Sequence, residues 1–173
     1  KIAEGGWFPL LLGGFCFLLL ITWYQGRKLL RERSISQGIP LEGFVSSLIA
    51  HEPLRVDGTA VFLTAHVDYV PVAMLHNLKH NQVLHRCVIF LKISIWDVPY
   101  VKDEDRITLK EMGGGMYLAR AVFGFKETPD MIKIMELLDS RHQIQCDPMQ
   151  TSFFLARDTI SPSSIPGMAI WRE

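Results

Sequence analysis

Residues 59–95, TAVFLTAHVDYVPVAMLHNLKHNQVLHRCVIFLKISI, contain the alternation of elements that decides the fold. The first part, residues 59–67, is a short apolar run with β-branched side chains, which predicts a buried strand. A helix is predicted over residues 71–81, and a second apolar run follows at residues 87–95. A strand, a helix and a strand within this length predict a βαβ unit with two parallel strands.

Downstream of this unit the pattern predicts the rest of a small domain. Residues 106–111 and 117–125 are predicted as strands, the second because its apolar side chains alternate. A helix capped at Thr128 is expected to run to about His142, and residues 151–157 are predicted as the last strand. The predicted fold class is therefore α/β, with a mixed, partly parallel sheet.

An amphipathic helix is predicted upstream of the domain, between Pro40 and Pro53. Its apolar side chains recur at helical spacing, at Leu41, Phe44, Val45, Leu48 and Ile49. We expect this face to pack on the domain's own sheet. The alternative is a helix that lies on a membrane, but its polar face lacks the lysines that are typical of such helices.

Residues 5–24, GGWFPLLLGGFCFLLLITWY, form a run of 20 residues without a charged side chain. At about 1.5 Å per residue, a helix of this length crosses the roughly 30 Å hydrocarbon core of a bilayer. Trp7 lies near one end, and Trp23 and Tyr24 lie at the other, where aromatic rings favour the headgroup level. We predict one membrane-spanning helix, which alone is an anchor because no group in it binds an ion or relays a proton.

Basic residues follow the apolar run and set its predicted orientation. They are opposed by only one acidic residue: Arg27, Lys28, Arg31 and Arg33 against Glu32. By the positive-inside rule, the segment after the helix is cytoplasmic. A signal peptide, the alternative, carries its charge before the apolar stretch and ends in a small-residue cleavage site, whereas here the charge follows and no such site is found.

These signals divide the chain into four predicted parts. They are the last membrane helix at 5–24, a basic juxtamembrane segment with the amphipathic helix at 25–53, the cytoplasmic α/β domain at 54–160, and a C-terminal loop at 161–173. The chain begins with Lys1 rather than Met. We therefore expect it to be a segment of a longer protein.

Composition excludes several classes of function. Lysine and arginine number 18, as do aspartate and glutamate, and this zero net charge argues against a nucleic-acid partner, which needs clustered basic surface. The hydrophobic share of 49% and the mean hydropathy of +0.18 indicate a membrane segment joined to a globular domain. Three widely spaced cysteines, Cys16, Cys87 and Cys146, form neither a disulfide framework nor a zinc motif and favour a reducing compartment.

Histidines are the first candidate for a metal site. His76 and His80 lie four residues apart on the predicted helix, with His66, Asp68 and His85 nearby in sequence. Two histidines at this spacing share a helix face and are able to ligate a metal. The spacing matches no known ligand set, so we interpret His76 and His80 as part of the helix's polar face and predict no metal site.

Other chemical motifs are absent or incomplete. His51 and Glu52 do not begin a metalloprotease motif, because Arg55 stands where the second histidine is required. The glycines at 113–115 lack the lysine of a phosphate-binding loop and predict a turn. The acidic run at 103–105 is interpreted as a solvated loop rather than a cation site. We therefore predict no catalytic residues and no enzyme.

Several longer strings resemble one known family. They are GGWFPLLLGG at 5–14, WYQGRKL at 23–29, GTAVFL at 58–63, MLHNLKHNQVLH at 74–85, GFKETPD at 124–130 and TSFFLARDT at 151–159. Their order and spacing resemble the C-terminal portion of bacterial potassium uptake proteins of the Kup/HAK/KT family. The chain departs from that family's usual residues at Asp57, Lys126, Ala156 and Asp158.

The resemblance implies a secondary transporter that imports potassium, and we expect it to act by K+:H+ symport. It implies a multi-pass protein of the bacterial inner membrane whose last helix is at 5–24 and whose C-terminal domain is cytoplasmic. The potassium-binding residues of the family lie on earlier helices, so no transported-ion site and no bound cofactor are expected in this segment. The alternative is a free-standing single-span membrane protein with a cytoplasmic module that binds a ligand or a protein.

The expected partners follow from this interpretation. They are the lipid bilayer, the upstream membrane helices of the full transporter, a second copy of the domain in a homodimer, and a nucleotide second messenger. Ligands of parallel sheets bind outside the carboxyl ends of the strands. We therefore expect residues 67–71, between the first strand and the first helix of the βαβ unit, to border any ligand crevice.

Overall fold

The computed structural model describes residues 7–36, 38–144 and 146–156, which fall into two compact units. The helices are α1 (Trp7–Ser36), α2 (Leu41–Ala50), α3 (Val72–Asn81), α4 (Asp103–Arg106) and α5 (Met131–His142). The strands are β1 (Leu54–Leu63), β2 (Val83–Trp96), β3 (Ile107–Gly113), β4 (Met116–Gly124) and β5 (Thr151–Phe154). A short 3-10 helix, Pro148–Gln150, precedes β5.

Helix α1 makes up the described part of the first unit. Its segment Trp7–Leu30, of 24 residues with a mean hydropathy of 1.8, is the one helix in the described ranges that is long and apolar enough to cross a membrane. This finding fits the predicted spanning helix, although residues 5 and 6 lie outside the described part. The helix also continues through the basic segment to Ser36, because its arginines, lysine and leucines are all good helix formers.

The second unit is built on a five-stranded sheet in the order β3-β4-β2-β1-β5. Strand β1 is parallel to β2 and to β5, and β2 is parallel to β4, whereas β3 pairs antiparallel with β4. The predicted βαβ unit and the predicted mixed sheet are therefore confirmed. We call the end that contains Leu63, Trp96 and Gly124 the carboxyl end of the sheet, and the opposite end the amino end.

Apolar side chains alternate between the two faces of the central strands. Phe62 and Phe90 pack with Leu41, Val45 and Met74 on the face covered by α2 and α3. On the other face, the buried set is covered by α5 and includes Val61, Ile89, Leu91, Ile134 and Leu138. Leu41 and Val45 are almost completely buried, so α2 packs on the sheet as expected and not on a membrane.

Several predicted boundaries are wrong by a few residues, and β1 and β2 begin earlier than predicted, at Leu54 and Val83. Strand β1 ends at Leu63 rather than residue 67, because the Thr64 hydroxyl donates to the His66 carbonyl and turns the chain. Helix α5 begins at Met131, since the carboxylate of Asp130, rather than Thr128, accepts the hydrogen bond that caps it. Strand β5 ends at Phe154.

Candidate functional site

The histidines that we considered as metal ligands do not come together as a set. His76 and His80 stack on the exposed face of α3 with ring centroids 5.8 Å apart. Within the described ranges, no group of three or more histidine, cysteine, aspartate or glutamate side chains is placed to hold a metal ion. His66, Asp68 and His85 therefore do not complete a site with the stacked pair.

His85 lies in β2 and is partly buried. Its ring contacts Phe154 edge-on at 6.1 Å, and burial lowers the pKa of its imidazole. The Nδ1 atom is buried and has no hydrogen-bond partner among the described residues. This environment favours the neutral form of the imidazole, which packs against Phe154.

An open cleft of about 1120 Å³ lies on the α5 side of the sheet. It lies at the amino end, where Asp57, Gly58 and Thr59 of β1 meet Cys87 of β2 and the segment before β5. The sheet is irregular here, since the register of β1 against β2 shifts between Val56 and Thr59. We call this cavity the amino-end cleft.

The lining of the amino-end cleft is acidic. Of its described residues, four carry carboxylates, Asp57, Glu136, Asp139 and Asp147, and one carries a positive charge, Arg86. That arginine is paired with Asp57 at 2.9 Å, so the remaining carboxylates dominate the local potential. Such a lining opposes phosphate groups and is compatible with neutral or cationic molecules.

Two thiols also line the cleft, and neither is activated. Burial raises the pKa of Cys87 above its ordinary value and raises that of Cys146 to about 12. A reactive cysteine needs a thiolate near neutral pH, which requires a lowered pKa. The cleft therefore contains no nucleophilic cysteine.

Residues 67–71, which we expect to border any ligand crevice, are bonded to the segment before α2. The Leu41 amide donates to the Asp68 carbonyl at 2.9 Å, and the Val70 amide donates to the Ile39 carbonyl at 2.9 Å. Val67 and Val70 are buried. The residues that follow, Val72 and Ala73, line a cavity of about 490 Å³. No periodicity predicts the contact with the segment before α2, because that segment is distant in sequence and reaches the loop only through the tertiary fold.

A buried ion-pair network lies at the carboxyl end of the sheet. Arg106 is only 2% exposed and donates through Nη2 to Glu127 Oε1 at 2.8 Å and to the Val101 carbonyl at 2.6 Å. Its Nε donates to Asp103 Oδ1 at 2.9 Å, and its guanidinium lies 4.8 Å from the ring centroid of Phe123. We call Arg106, Glu127 and Asp103 the Arg106 network.

Glu127 fastens two backbone segments to this network. Its Oε2 accepts from the Gly124 amide at 2.6 Å and from the Val101 amide at 3.1 Å. These hydrogen bonds and the arginine hold the pKa of Glu127 at about 2. Gly124 is tightly enclosed as well, because an added Cβ would meet the carbonyl oxygen of Pro99. The string GFKETPD thus has a structural role that its letters alone do not reveal.

The acidic run at 103–105 forms the short helix α4 rather than the predicted loop. Asp103 is held by Arg106 and by Lys133 Nζ at 2.8 Å, and its pKa is lowered by those hydrogen bonds. Its carbonyl accepts from Arg141. Basic side chains therefore occupy the positions around Asp103 where a bound cation would lie.

The glycines at 113–115 form the predicted turn, which joins β3 to β4. All three have positive φ angles of +92°, +57° and +71°, which favour glycine. Arg55 ties the turn to the sheet, donating to the carbonyls of Gly114 and His85 at 2.9 Å each. The glycine turn and Arg55 therefore have a structural role in the sheet.

Comparison with known proteins identifies the family. The family model described as "K+ potassium transporter C-terminal domain" matches residues 57–173. The chain is 66% identical over all 173 residues to the "Probable potassium transport system protein Kup" of Polynucleobacter asymbioticus. It is 56% identical to the protein of the same name from Cupriavidus metallidurans and 51% identical to that of Burkholderia lata.

Each of these alignments covers the whole chain but only 27% of the relative. No solved structure matches the chain. The strings quoted from the sequence and the matched relatives indicate the same family, and the relatives align over the whole chain. The chain belongs to the K+ potassium transporter C-terminal domain family and corresponds to the C-terminal part of Kup potassium transport proteins.

Proposed function

We propose that this chain is the C-terminal portion of a potassium:proton symporter of the bacterial inner membrane. The observation that carries the proposal is the identity of 66% over every residue to a relative named as a potassium transport protein. The chain spans about a quarter of that relative, so the ion path belongs to the upstream helices. The uncharged run at 5–24 supports this division, because it offers no carboxylate to a bound cation.

We place the α/β domain in the cytoplasm because basic residues follow the apolar part of α1. Met149 gives a direct test, since its side chain is 92% exposed. In cells with Cys16 replaced by serine, a Met149→Cys variant is expected to resist a membrane-impermeant maleimide until the cells are opened. Labelling of intact cells would place the domain on the outer side and contradict the proposed orientation.

The domain's proposed role is to support and regulate the transport core. Its two packed faces, its fastened turn and the Arg106 network make a stable unit without a catalytic constellation. The test is rubidium or potassium uptake in a host that lacks its own potassium uptake systems, comparing the full-length protein with one that lacks residues 39–173. We expect lower or unregulated uptake at equal membrane abundance, and unchanged uptake in all conditions would contradict the role.

The alternative function is a single-span protein with a binding module. An antibody against the domain separates the two in membranes of the source cell. A band several times larger than 19.7 kDa supports the transporter. A band of that mass would mean that the chain exists alone, and the transport function would be wrong.

For regulation, we propose contact with a second copy of the domain rather than a nucleotide second messenger. The acidic lining of the amino-end cleft opposes phosphates. Strand β5 lies at the edge of the sheet, and edge strands present backbone groups for pairing with another chain. Cross-linking in membranes should give a dimer, whereas calorimetry with a cyclic dinucleotide at high micromolar concentration should give no binding heat.

A further inference from the structure

Strand β5 forms one edge of the sheet. It lies at the end of the strand order and, among the described strands, pairs only with β1. Its residues Ser152 and Phe153 are exposed, and Leu155, which directly follows its last residue, is 71% exposed. A strand that is paired on one side presents its remaining backbone N–H and C=O groups to another chain. The edge of β5 is therefore able to continue the sheet into a second molecule.

The two edges of the sheet differ in how they oppose such pairing. Natural edge strands are commonly protected by charged side chains or by proline. Strand β3 (ITLKEMG), at the opposite edge, has Lys110 and Glu111. Strand β5 (TSFF) has no charged residue and no proline. Because two copies of β5 meet without bringing like charges together, the β5 edge is the one suited to self-association.

The two faces of β5 decide which side chain is left to bury. Phe154 pairs with Phe62 and stacks on its ring at 4.6 Å, within the cluster that α2 and α3 cover. Phe153 pairs with Val61, which belongs to the cluster under α5, and it is still 40% exposed. Successive side chains of a strand point to opposite faces. Phe153 is thus the large apolar side chain of β5 that has surface left for a partner.

The alternation of faces also limits the register of two paired copies. An antiparallel pair of identical strands has a two-fold axis, and each residue makes the same contact in both copies. Residues directly opposite each other point to the same face, so the axis passes through a residue rather than between two neighbours. An axis at Phe153 places this ring opposite the same ring of the second copy. Aromatic pairs at such positions stabilise a sheet, which favours this register.

A groove beside the edge is compatible with an uncharged partner strand. It is the cavity of about 490 Å³ between α3 and the end of β5, where Val72 and His76 lie opposite Phe154 and Leu155. The described residues that line it include no carboxylate, lysine or arginine. The groove therefore accepts the uncharged side chains of a second β5 and offers no charged group that would select an ionic ligand.

We propose that two copies of the domain pair antiparallel through β5, with the two-fold axis at Phe153. The result is a continuous sheet of ten strands, five from each copy. The inference rests on the proposed contact with a second copy and deepens it, because it names the surface, the register and the residue at the centre of the interface. It does not depend on which ion the transporter carries.

Charge exchange at Phe153 tests the register. Full 173-residue chains that carry a donor or an acceptor fluorophore at the amino terminus are reconstituted together into phosphatidylcholine vesicles, where energy transfer measures their association. With Phe153→Glu in all chains, or with Phe153→Lys in all chains, like charges would lie directly opposite each other. Each variant alone is expected to associate at least about tenfold more weakly than the wild type. Mixing donor chains of one variant with acceptor chains of the other should restore the transfer.

Thr108→Glu is the matched control. Thr108 is exposed on β3, at the opposite edge of the sheet, and the charge is expected to leave the association unchanged. The restored transfer in the mixture also shows that both Phe153 variants are folded, because misfolded chains would not regain a specific contact. An unchanged urea midpoint checks this independently.

The possible outcomes separate this inference from the proposed dimer. Energy transfer that neither Phe153 variant changes would overturn the inference but leave the dimer standing, because the copies would then meet at another surface. Weaker transfer in Thr108→Glu alone would assign the contact to β3. Weakening by both Phe153 variants without recovery in the mixture would mean that Phe153 does not face its own copy. An absence of transfer in the wild type would overturn the dimer as well, and the edge would then belong to a different protein.

Discussion

Arg106→Met tests whether the buried ion-pair network stabilises the domain. Methionine keeps a long side chain against the ring of Phe123 but removes the guanidinium. Three acceptors then lose one of their donors: the carboxylates of Glu127 and Asp103 and the carbonyl of Val101. The variant thus leaves buried polar groups incompletely bonded.

The magnitude follows from the burial of the arginine. Removing one partner of a buried ion pair costs about 3–5 kcal/mol. Glu127 keeps the amides of Gly124 and Val101 as donors, so we expect the lower end, about 3 kcal/mol. This loss lowers the ratio of folded to unfolded protein by about 100-fold. Arg106→Lys should fall between the variant and the wild type, because lysine keeps the charge but not the fork of donors.

The assay is urea unfolding of the 173-residue chain in detergent micelles, followed by the sheet signal in circular dichroism. Lys110→Met is the matched control, since Lys110 bonds Glu42 at 2.9 Å while their side chains are 62% and 79% exposed. Its expected cost is below about 1 kcal/mol. Equal costs for Arg106→Met and Lys110→Met would refute the reasoning, because the network would then be no stronger than a surface pair.

The remaining predictions use the same unfolding assay or a chemical probe. The pKa of Glu127 is about 2 in the folded state against an ordinary 4.5. The stability that its carboxylate contributes is therefore complete above about pH 4.5 and is lost as the pH falls towards 2. Acid should lower the urea midpoint less in Arg106→Met than in the wild type, and an equal decrease in the two proteins would contradict this prediction. Gly124→Ala should destabilise the domain by about 1–3 kcal/mol, because the added Cβ meets the backbone at Pro99. Gly43→Ala, in helix α2 with no atom within 4 Å of the added Cβ, should stabilise the domain by about 0.5–1 kcal/mol. The reverse order would show that the loop at Pro99 moves aside at little cost. Cys146, with its pKa raised to about 12, should react with a thiol reagent at pH 8 far more slowly in the folded chain than in urea, and equal rates would mean that the cleft does not protect it.

The candidate site divides between the two ends of the sheet. The amino end holds the acidic cleft with its inert thiols. The carboxyl end holds the Arg106 network and the short acidic helix α4.

Features that depend on local patterns could be predicted from the residues alone. A run of 20 uncharged residues predicts a spanning helix, and the apolar runs separated by residues 71–81 predict parallel strands, because burial and spacing are properties of neighbouring residues. The glycines at 113–115 likewise predict a turn. The quoted strings were sufficient to assign the family.

Contacts between distant residues came from the tertiary fold. Arg106 and Glu127 are 21 positions apart, and Ile39 and Val70 are 31 apart, so no periodicity links them. The amino-end cleft likewise formed where the register of β1 shifts, which no local pattern predicts. Closing such long-range contacts depends on the packing of the whole sheet, which is why residue pattern alone did not reveal the buried network.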